Sequence, residues 1–421
     1  MIAVLLGVLF VCLLLGFPMM VGMTLAPVLV VLLYFPNVEP YMLAQYFISG
    51  ISSFTLLAIP MFMFAGNIMG SGQMASRLMN LVKTLVGHLP GGLAITAGGT
   101  CTIFGAISGS ANATLVAVGM PMFKPLRAQG YNDSHIASML MTNANIALLI
   151  PPSVVMVIYC STTGTSVGDM FIAGIIPGLL MFVAYAIYDC IYAKVKHIER
   201  LPRASLKEIF AALREAVLAL GFPLLVLGGI YSGTFSPTEA AAVACVYAFV
   251  VEVLIYKSLD LAEIRKIAVK TGRVAAATYV LTGSGKVISW LLSYSGVAKE
   301  IAYSLLGENP SAMAVMIAIS LVFLVACCFV DCIPLILIVA PIFFPAAVAA
   351  GIDPIHLGII ITFWSAFGTL TPPFGSNIFI AIAIFQKSFA TVIKGLWPYV
   401  IISVLVGVAL VMFPWLSTCL L

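Results

Sequence analysis

The chain has 421 residues, of which 62% are hydrophobic and 8% charged, with 19 Lys and Arg against 15 Asp and Glu and a formal net charge of +4. Mean hydropathy is +1.18. About half of any folded surface stays exposed, so a water-soluble fold of this length is excluded and a polytopic membrane protein is indicated. The period-two alternation of a membrane barrel is missing, so the spans are expected to be helices.

In chain order, apolar segments near membrane-spanning length fall at 2–16, 18–35, 54–70, 134–150, 170–193, 215–233, 237–256, 274–293, 355–370 and 395–415. The first has no basic leader and runs on into the second, so it reads as a span rather than a cleaved signal. Two amphipathic pieces, 73–89 ("QMASRLMNLVKTLVGHL") and 204–214 ("ASLKEIFAALR"), are expected along the interface. Segments 92–123 and 312–346 are apolar but broken by small or polar residues, and do not fit as simple spans. The nine cysteines stand singly or as "CC" inside apolar runs, with no metal or disulfide spacing, and read as small buried hydrophobes.

Charge sets orientation. Eleven of the nineteen Lys and Arg lie in two patches, one from Lys194 to Arg214 and one from Lys257 to Arg273. Short basic loops stay in the cytoplasm. The two spans between them put "GTFSPTEA" (233–240) on the opposite side, where Ser236 or Thr238 is expected to cap a helix opened by Pro237, with Glu239 near its positive end.

The sequence repeats. "GYNDSHIASMLMTNANIALLIPPSVVMVIY" (130–159) aligns without a gap on "GIDPIHLGIIITFWSAFGTLTPPFGSNIFI" (351–380), matching Gly130 to Gly351, His135 to His356, Pro151 to Pro372 and Pro152 to Pro373 at an offset of 221. "VGMPMFKP" (118–125) resembles "IVAPIFFP" (338–345), and "SGQMASRLMNLV" (71–82) loosely echoes "SGVAKEIAYSLL" (295–306). Gly/Pro-interrupted spans at corresponding places in two halves point to a secondary transporter's binding site. Each Pro removes a backbone donor and breaks its helix. Freed carbonyls can then coordinate a cation, and helix N-termini can hold a carboxylate.

The interrupted segments carry matching polar points. "SGSAN" (108–112) is the most polar part of 98–119, which suits two half-helices meeting at a re-entrant tip. In "LVFLVACCFVDCIPLILIVAP" (321–341), Asp331 falls 221 residues after Ser110, and Pro334 is expected to break the helix just beyond it. An ionisable residue in such a run is a functional candidate, since inserting it costs about 2.5–3.5 kcal/mol; a structural pair with a Lys or Arg is the alternative. Asn143 and Asn145 precede the Pro151 break, and "CSTTGTS" (160–166) follows it; both groups suit either helix stitching or a wet cavity. His135 and His356 have no catalytic or metal partners in sequence and read as interface or capping residues.

Through "LLAIPMFMFAG" (56–66), "GAISGSANATLVAVGMPM" (105–122), "NIALLIPPS" (145–153), "GTFSPTEAAAVACVYA" (233–248), "VDCIPLILIVAPIFFP" (330–345) and "GTLTPPFGSNIFI" (368–380), nearly the whole chain resembles the large membrane subunit, the dicarboxylate-type permease, of the tripartite ATP-independent periplasmic (TRAP) transporters. The resemblance implies an all-α polytopic membrane fold with ion-transporter-like inverted repeats, two re-entrant hairpins and two broken helices. It implies N-terminal scaffold spans and an arm helix in 1–90, transport halves in 91–193 and 311–390, central scaffold spans in 194–310 and a C-terminal span in 391–421.

It implies sodium-coupled uptake of an organic anion, such as a C4-dicarboxylate or sialic acid, across the bacterial inner membrane by an elevator motion. The expected partners are a periplasmic binding protein that delivers the substrate and a separate small four-helix membrane subunit. No enzyme activity, organic cofactor or metal other than the coupling Na+ is implied. One sodium site would take Ser108, Gly109, Ser110, Asn112 and the break at Pro151–Ser153. The other would take Asp331 and the break from Thr369 through Thr371 to Pro373, with Gly375 and Asn377. Substrate would lie between, on Asn143, Asn145, Pro152, Ser161, Thr162, Pro373, Ser376 and Asn377. The chain departs from the family in reading "DCIP" where the second hairpin often has Thr or Met after its Asp. A proton-coupled transporter with Asp331 as carrier is the alternative; a membrane enzyme would need paired acids, HExxH or a Ser-His couple, none of which occurs in the spans.

Overall fold

The computed structural model describes residues 1–307, 310–372 and 375–421, and every regular element among them is helical. The N-terminal elements are α1 (Ile2–Leu14), α2 (Met19–Tyr34), α3 (Tyr41–Ile51), α4 (Ala58–Ser71) and α5 (Met74–Val86). Then come α6 (Gly92–Ser108), α7 (Ala111–Thr114), a π turn (Leu115–Gly119), α8 (Met120–Ala128), α9 (Asp133–Asn145), α10 (Val154–Thr163) and α11 (Val167–Val195). The centre holds α12 (Leu206–Tyr231), α13 (Pro237–Phe249), a π turn (Val250–Ile255) and α14 (Leu261–Tyr294). The rest is α15 (Val297–Leu306), α16 (Ala312–Ala326), α17 (Cys332–Ala349), α18 (Pro354–Gly368), α19 (Ser376–Phe385), α20 (Phe389–Lys394), α21 (Trp397–Met412) and α22 (Trp415–Thr418). Among the described residues, five helical segments are individually long and apolar enough to cross a bilayer: 54–71, 167–195, 206–231, 237–255 and 332–349. Leu14, Leu33, Leu224 and Leu405 are strongly exposed, as a lipid-facing surface requires.

Two expected boundaries differ. Residues 204–214 and 215–233 form one helix, α12, started by a capping box in which Glu208 and Ser205 bond each other's backbone N–H. The span expected at 274–293 begins at Leu261, because Asp260 and Glu263 build a second capping box. The amphipathic pattern of 204–214 suggested a separate interfacial piece and the basic residues of 257–273 a loop, but charged side chains on an exposed helix face cost little and both stretches continue into their spans. The third capping box, Ser236 with Glu239, lies where "SPTE" placed a helix start.

The repeat is visible in the caps. Gly130 and Gly351 both adopt positive φ (96° and 79°), ending α8 and α17. Two residues on, Asn132 and Asp353 cap α9 and α18 through their side-chain oxygens, at 2.9 and 2.8 Å from Ser134 N and Ile355 N. Ser110 and Asp331, also 221 apart, cap α7 and α17. Pro334 stands in the first turn of α17 and opens that helix rather than breaking it; there the missing N–H has no intrahelical partner to lose.

Glu252, fully buried in the π turn after α13, anchors α5. Its carboxylate accepts from Gln73 N (3.0 Å), Met74 N (2.9 Å) and the Ser258 hydroxyl, and a Cβ on Gly72 would collide with it at 2.2 Å. A negative group at a helix start satisfies orphan amides and the helix dipole together. Glu252→Ala strips the buried Met74 amide and the part-buried Gln73 amide of their acceptor, at about 1–3 kcal/mol for the buried one. A fall of several degrees in the thermal midpoint of the detergent-solubilised protein is expected, read by tryptophan fluorescence.

Candidate functional site

Two helix pairs and two helix breaks meet in one place. α6 turns into the helical run 111–128 at Ser108–Ser110, and α16 gives way to α17 at 327–331. α9 continues as a 3-10 turn (Ile146–Leu148) before α10 restarts at Val154, and α18 ends at Gly368 before α19 starts at Ser376. These are the "SGSAN", "VDCIP", "NIALLIPPS" and "GTLTPPFGSN" segments.

Packing locks each tip to a break. Gly109 has φ +57°, and a Cβ on it would lie 2.2 Å from Pro152 O. A Cβ on Gly105 would reach Ala147 Cα at 2.7 Å, so α6 passes against the first break without room for a side chain. In the other half, a Cβ on Gly368 would come 1.8 Å from the Cβ of Cys327. The two breaks are tied together by Asn145. Its amide N–H2 donates to Ala366 O (2.5 Å) and Thr369 Oγ1 (2.6 Å), and its Oδ1 accepts from Asn377 Nδ2. Asn145 and Ala366 are repeat mates, 221 apart. Equivalent positions touch each other only near the axis that relates the halves.

A cavity of about 130 Å³ lies there, lined by Gly109, Ser110, Asn112, Leu148, Asp331, Thr369, Ser376 and Asn377 among others. Met63 of α4 and Val274 and Thr278 of α14 also line it. Several lining residues are repeat mates: Ser110 with Asp331, Leu148 with Thr369, Val155 with Ser376. Ala111 and Asn112, Val154 and Val155, Cys332 and Ile333, and Ser376 and Asn377 are the first two residues of α7, α10, α17 and α19. Four helix N-termini therefore border the cavity and make it favourable for a carboxylate. Gly109, Leu148 and Thr369 stand at helix C-terminal ends, whose carbonyls suit a cation.

Asp331 is exposed at this cavity. Its Oδ1 accepts from Ile333 N and the Cys332 thiol, each at 3.4 Å. The ion pairs of Lys and Arg among the described residues are Arg127–Asp133 and Lys387–Asp133, so Asp331 is not part of a pair with Lys or Arg. The volume exceeds that of a water site many times over, since one water needs about 10–15 Å³. No group of three or more His, Cys, Asp or Glu with metal-site geometry occurs among the described residues.

The remaining candidates sit around this centre at different depths. Ser108 is buried, its hydroxyl 2.9 Å from Thr114 Oγ1. Pro151, Pro152 and Ser153 are buried in the first break, where Ser153 caps α10. Thr371 accepts Gly375 N through its carbonyl at 3.1 Å, closing the second break on itself. Asn143 is turned away, donating to Met139 O (2.9 Å) with its Oδ1 against Gly98 of α6. Ser161 and Thr162 are two turns along α10 from the break, and Thr162 bonds its own helix at Ile158 O (2.8 Å). Pro373 lies outside the described residues.

The two repeat histidines are buried packing residues, not capping side chains. The His135 ring stacks on Tyr192 at 3.6 Å with Nε2 3.7 Å from Asp189, whose carboxylate takes the Tyr399 hydroxyl at 2.5 Å. His356 Nδ1 is 3.1 Å from Ser417 Oγ. Asp189 carries a sequence signal of its own, as the lone acid in the apolar run 170–193.

A helical chain whose two repeated halves meet at a central cavity of hydroxyls, amides, helix ends and one carboxylate has the architecture of a membrane transporter. Residues 6–416 match the family described as tripartite ATP-independent periplasmic transporter, DctM component. The chain is 43% identical over 415 residues to the large permease protein of an ectoine TRAP transporter from Halomonas elongata, covering 98% of this chain and 96% of that one. It is 37% identical over 367 residues to the C4-dicarboxylate TRAP large permease protein of Pseudomonas aeruginosa, covering 87% and 86%. Among solved structures it shares its fold with the Alcanivorax borkumensis YdaH transporter, with a TM-score of 0.61 at 16% identity over 88% of this chain and 87% of that one. The chain belongs to the DctM family of TRAP transporter large permease subunits. It is accordingly a multi-pass inner-membrane protein of secondary organic-anion transport and not an enzyme, and its family implies a small membrane subunit and a periplasmic binding protein as partners.

Proposed function

We propose that this chain carries a small organic acid inward by coupling it to sodium, in an elevator motion. In this reading 91–193 and 311–390 form the moving part, with the two helix pairs as re-entrant hairpins. The scaffold is formed by 1–90, 194–310 and 391–421, joined by a four-helix small subunit, and a periplasmic protein delivers the solute. The observation that carries this reading is the cavity on the repeat axis. It offers hydroxyls, amides, backbone carbonyls and the Asp331 carboxylate, the oxygen set a hard cation prefers. The bordering helix N-termini suit the substrate carboxylate. One sodium is assigned to Ser108, Gly109, Ser110 and Asn112 with the first break, the other to Asp331, Thr369, Thr371 and Gly375. Asn145, Pro152, Ser376 and Asn377 are assigned to the substrate.

Charge arithmetic favours the coupling. Moving a dianion into a negative interior costs about 2.3 kcal/mol per charge per 100 mV, which more than two sodium ions would reverse. Candidate solutes are C4-dicarboxylates and sialic acid, and ectoine, the solute named for the Halomonas relative, joins them. The test is uptake into proteoliposomes holding this chain, its small membrane partner and the binding protein, with labelled succinate, sialic acid and ectoine. Uptake of at least one solute that requires both an inward sodium gradient and the binding protein is expected. Uptake that ignores sodium and follows a proton gradient would instead make Asp331 a proton carrier.

A further inference from the structure

The amphipathic helix α5 lies along the start of α12, where Leu81, Ala212 and Ala216 form one buried apolar cluster. Beside that seam is an open cleft of about 530 Å³, lined by Arg77 of α5 and by Lys207, Phe210, Ala211, Arg214 and Glu215 of α12. A second cleft, of about 600 Å³, shares Ala211 and Glu215 and adds Lys83 of α5 and Arg203 of the preceding loop. None of these five cations pairs with an acid among the described residues. Arg77 is held by neutral partners. Its guanidinium donates to Glu215 O (3.3 Å) and Gln73 Oε1 (2.8 Å) and lies 3.9 Å from the centre of the Tyr256 ring. Of the two acids in the clefts, Glu208 is turned onto its own cap, taking Ser205 N at 2.6 Å, and Glu215 is the other. A further face of α12 is apolar. Leu206, Phe210, Leu213 and Val217 fall within about 60° of one another around the helix, and Leu206 is 86% and Phe210 71% exposed. Lys207 and Arg214 stand next to that stripe, about 80–100° round the helix from Leu206.

We propose that the cleft between α5 and α12 binds the headgroup of an anionic phospholipid of the cytoplasmic leaflet and so clamps α5 to α12. The basic patch from Lys194 to Arg214 puts this end of α12 at the cytoplasmic face, where the leaflet is negatively charged. A phosphate takes charge-assisted bonds from Lys and from the planar fork of Arg, and Arg77 is already fixed in place with N–H groups left to donate. Each Lys or Arg near the membrane surface strengthens the attraction about fivefold. The exposed stripe from Leu206 to Val217 then lies against the acyl chains of the same lipid. A soluble phosphate would use the cations and leave that stripe uncovered. The inference needs the chain to span the membrane but does not depend on which solute or ion it carries.

Phe210→Trp places a fluorescent reporter where the cleft meets the apolar stripe. The full-length protein is reconstituted at physiological salt in phosphatidylcholine vesicles containing a minor fraction of phosphatidylglycerol, with brominated, quenching acyl chains on one lipid or the other. The signal read is the fluorescence gained over the unsubstituted protein. Phosphatidylglycerol is expected to quench it with an apparent affinity at least tenfold above that of phosphatidylcholine. Adding Lys207→Gln and Arg214→Gln, both on an exposed helix face, should cut that ratio at least fivefold. Glu215→Gln should raise it. Lys266→Gln with Lys270→Gln removes the same charge from the exposed face of α14 and should leave it unchanged. Equal quenching by the two lipids would overturn the proposal. So would a loss from the α14 pair as large as that from the cleft pair, which would reduce the effect to general surface attraction. A ratio abolished by millimolar inorganic phosphate would also overturn it, by making the cleft a site for soluble anions.

Discussion

Asp331→Asn is expected to reduce sodium-driven uptake at least tenfold while leaving the fold and the binding protein's interaction in place. The substitution is informative because Asp331 does two things. As the N-cap of α17 it accepts Ile333 N, and as an exposed carboxylate it faces the cavity. Asn caps helices as well as Asp, so α17 keeps its start. What disappears is the charge. Bonds to charged groups contribute about 1.5–3 kcal/mol, which corresponds to about a 10–150-fold loss in affinity. The half-saturating sodium concentration should rise by that factor, or uptake should vanish where the gradient cannot compensate. The checking measurement is uptake of the accepted solute against external sodium, with binding-protein dependence as control. An unaltered sodium dependence would remove Asp331 from the ion site.

Much of this centre was legible because the sequence states it twice. The 221-residue offset predicted that Ser110 and Asp331 would fall at equivalent places, and both are helix caps bordering one cavity. Gly130 with Gly351 and Asn132 with Asp353 extend the correspondence to helix ends, where local chemistry decides the conformation. Contacts between distant segments were not legible. Nothing in "TNANIAL" says that Asn145 reaches across to Ala366, Thr369 and Asn377 while Asn143 turns back into its own helix. The two differ by about 200° around a helix, and which direction faces the axis is settled by packing. Glu252 was hidden for a similar reason. Its partners Gln73 and Met74 lie at the far end of a different helix. The starts of α12 and α14 are not legible because basic residues at a span's end look alike in a loop, in an interfacial piece and on an exposed helical turn.

Gly109→Ala should be the most disruptive of the small substitutions in the first half, and Gly130→Ala is its control. Both glycines have positive φ, at 57° and 96°, and an L residue held there costs about 1–2 kcal/mol. An added Cβ meets nothing within 4 Å at Gly130 but lies 2.2 Å from Pro152 O at Gly109. The difference between the two variants therefore isolates the contact between hairpin tip and helix break. Backbone cannot swing aside as a flexible side chain can, and overpacking typically costs about 1–3 kcal/mol more. Gly130→Ala is expected to lower the thermal midpoint slightly and keep uptake. Gly109→Ala is expected to lower it further and to abolish uptake even where folded protein is recovered, because relieving the clash moves Ser110 and Asn112 relative to Pro152 and Ser153. Parallel thermal denaturation in detergent and uptake in liposomes separate the two effects. Equal uptake in both variants would mean that the tip and the break tolerate displacement, and that the tight packing at Gly109 serves stability alone.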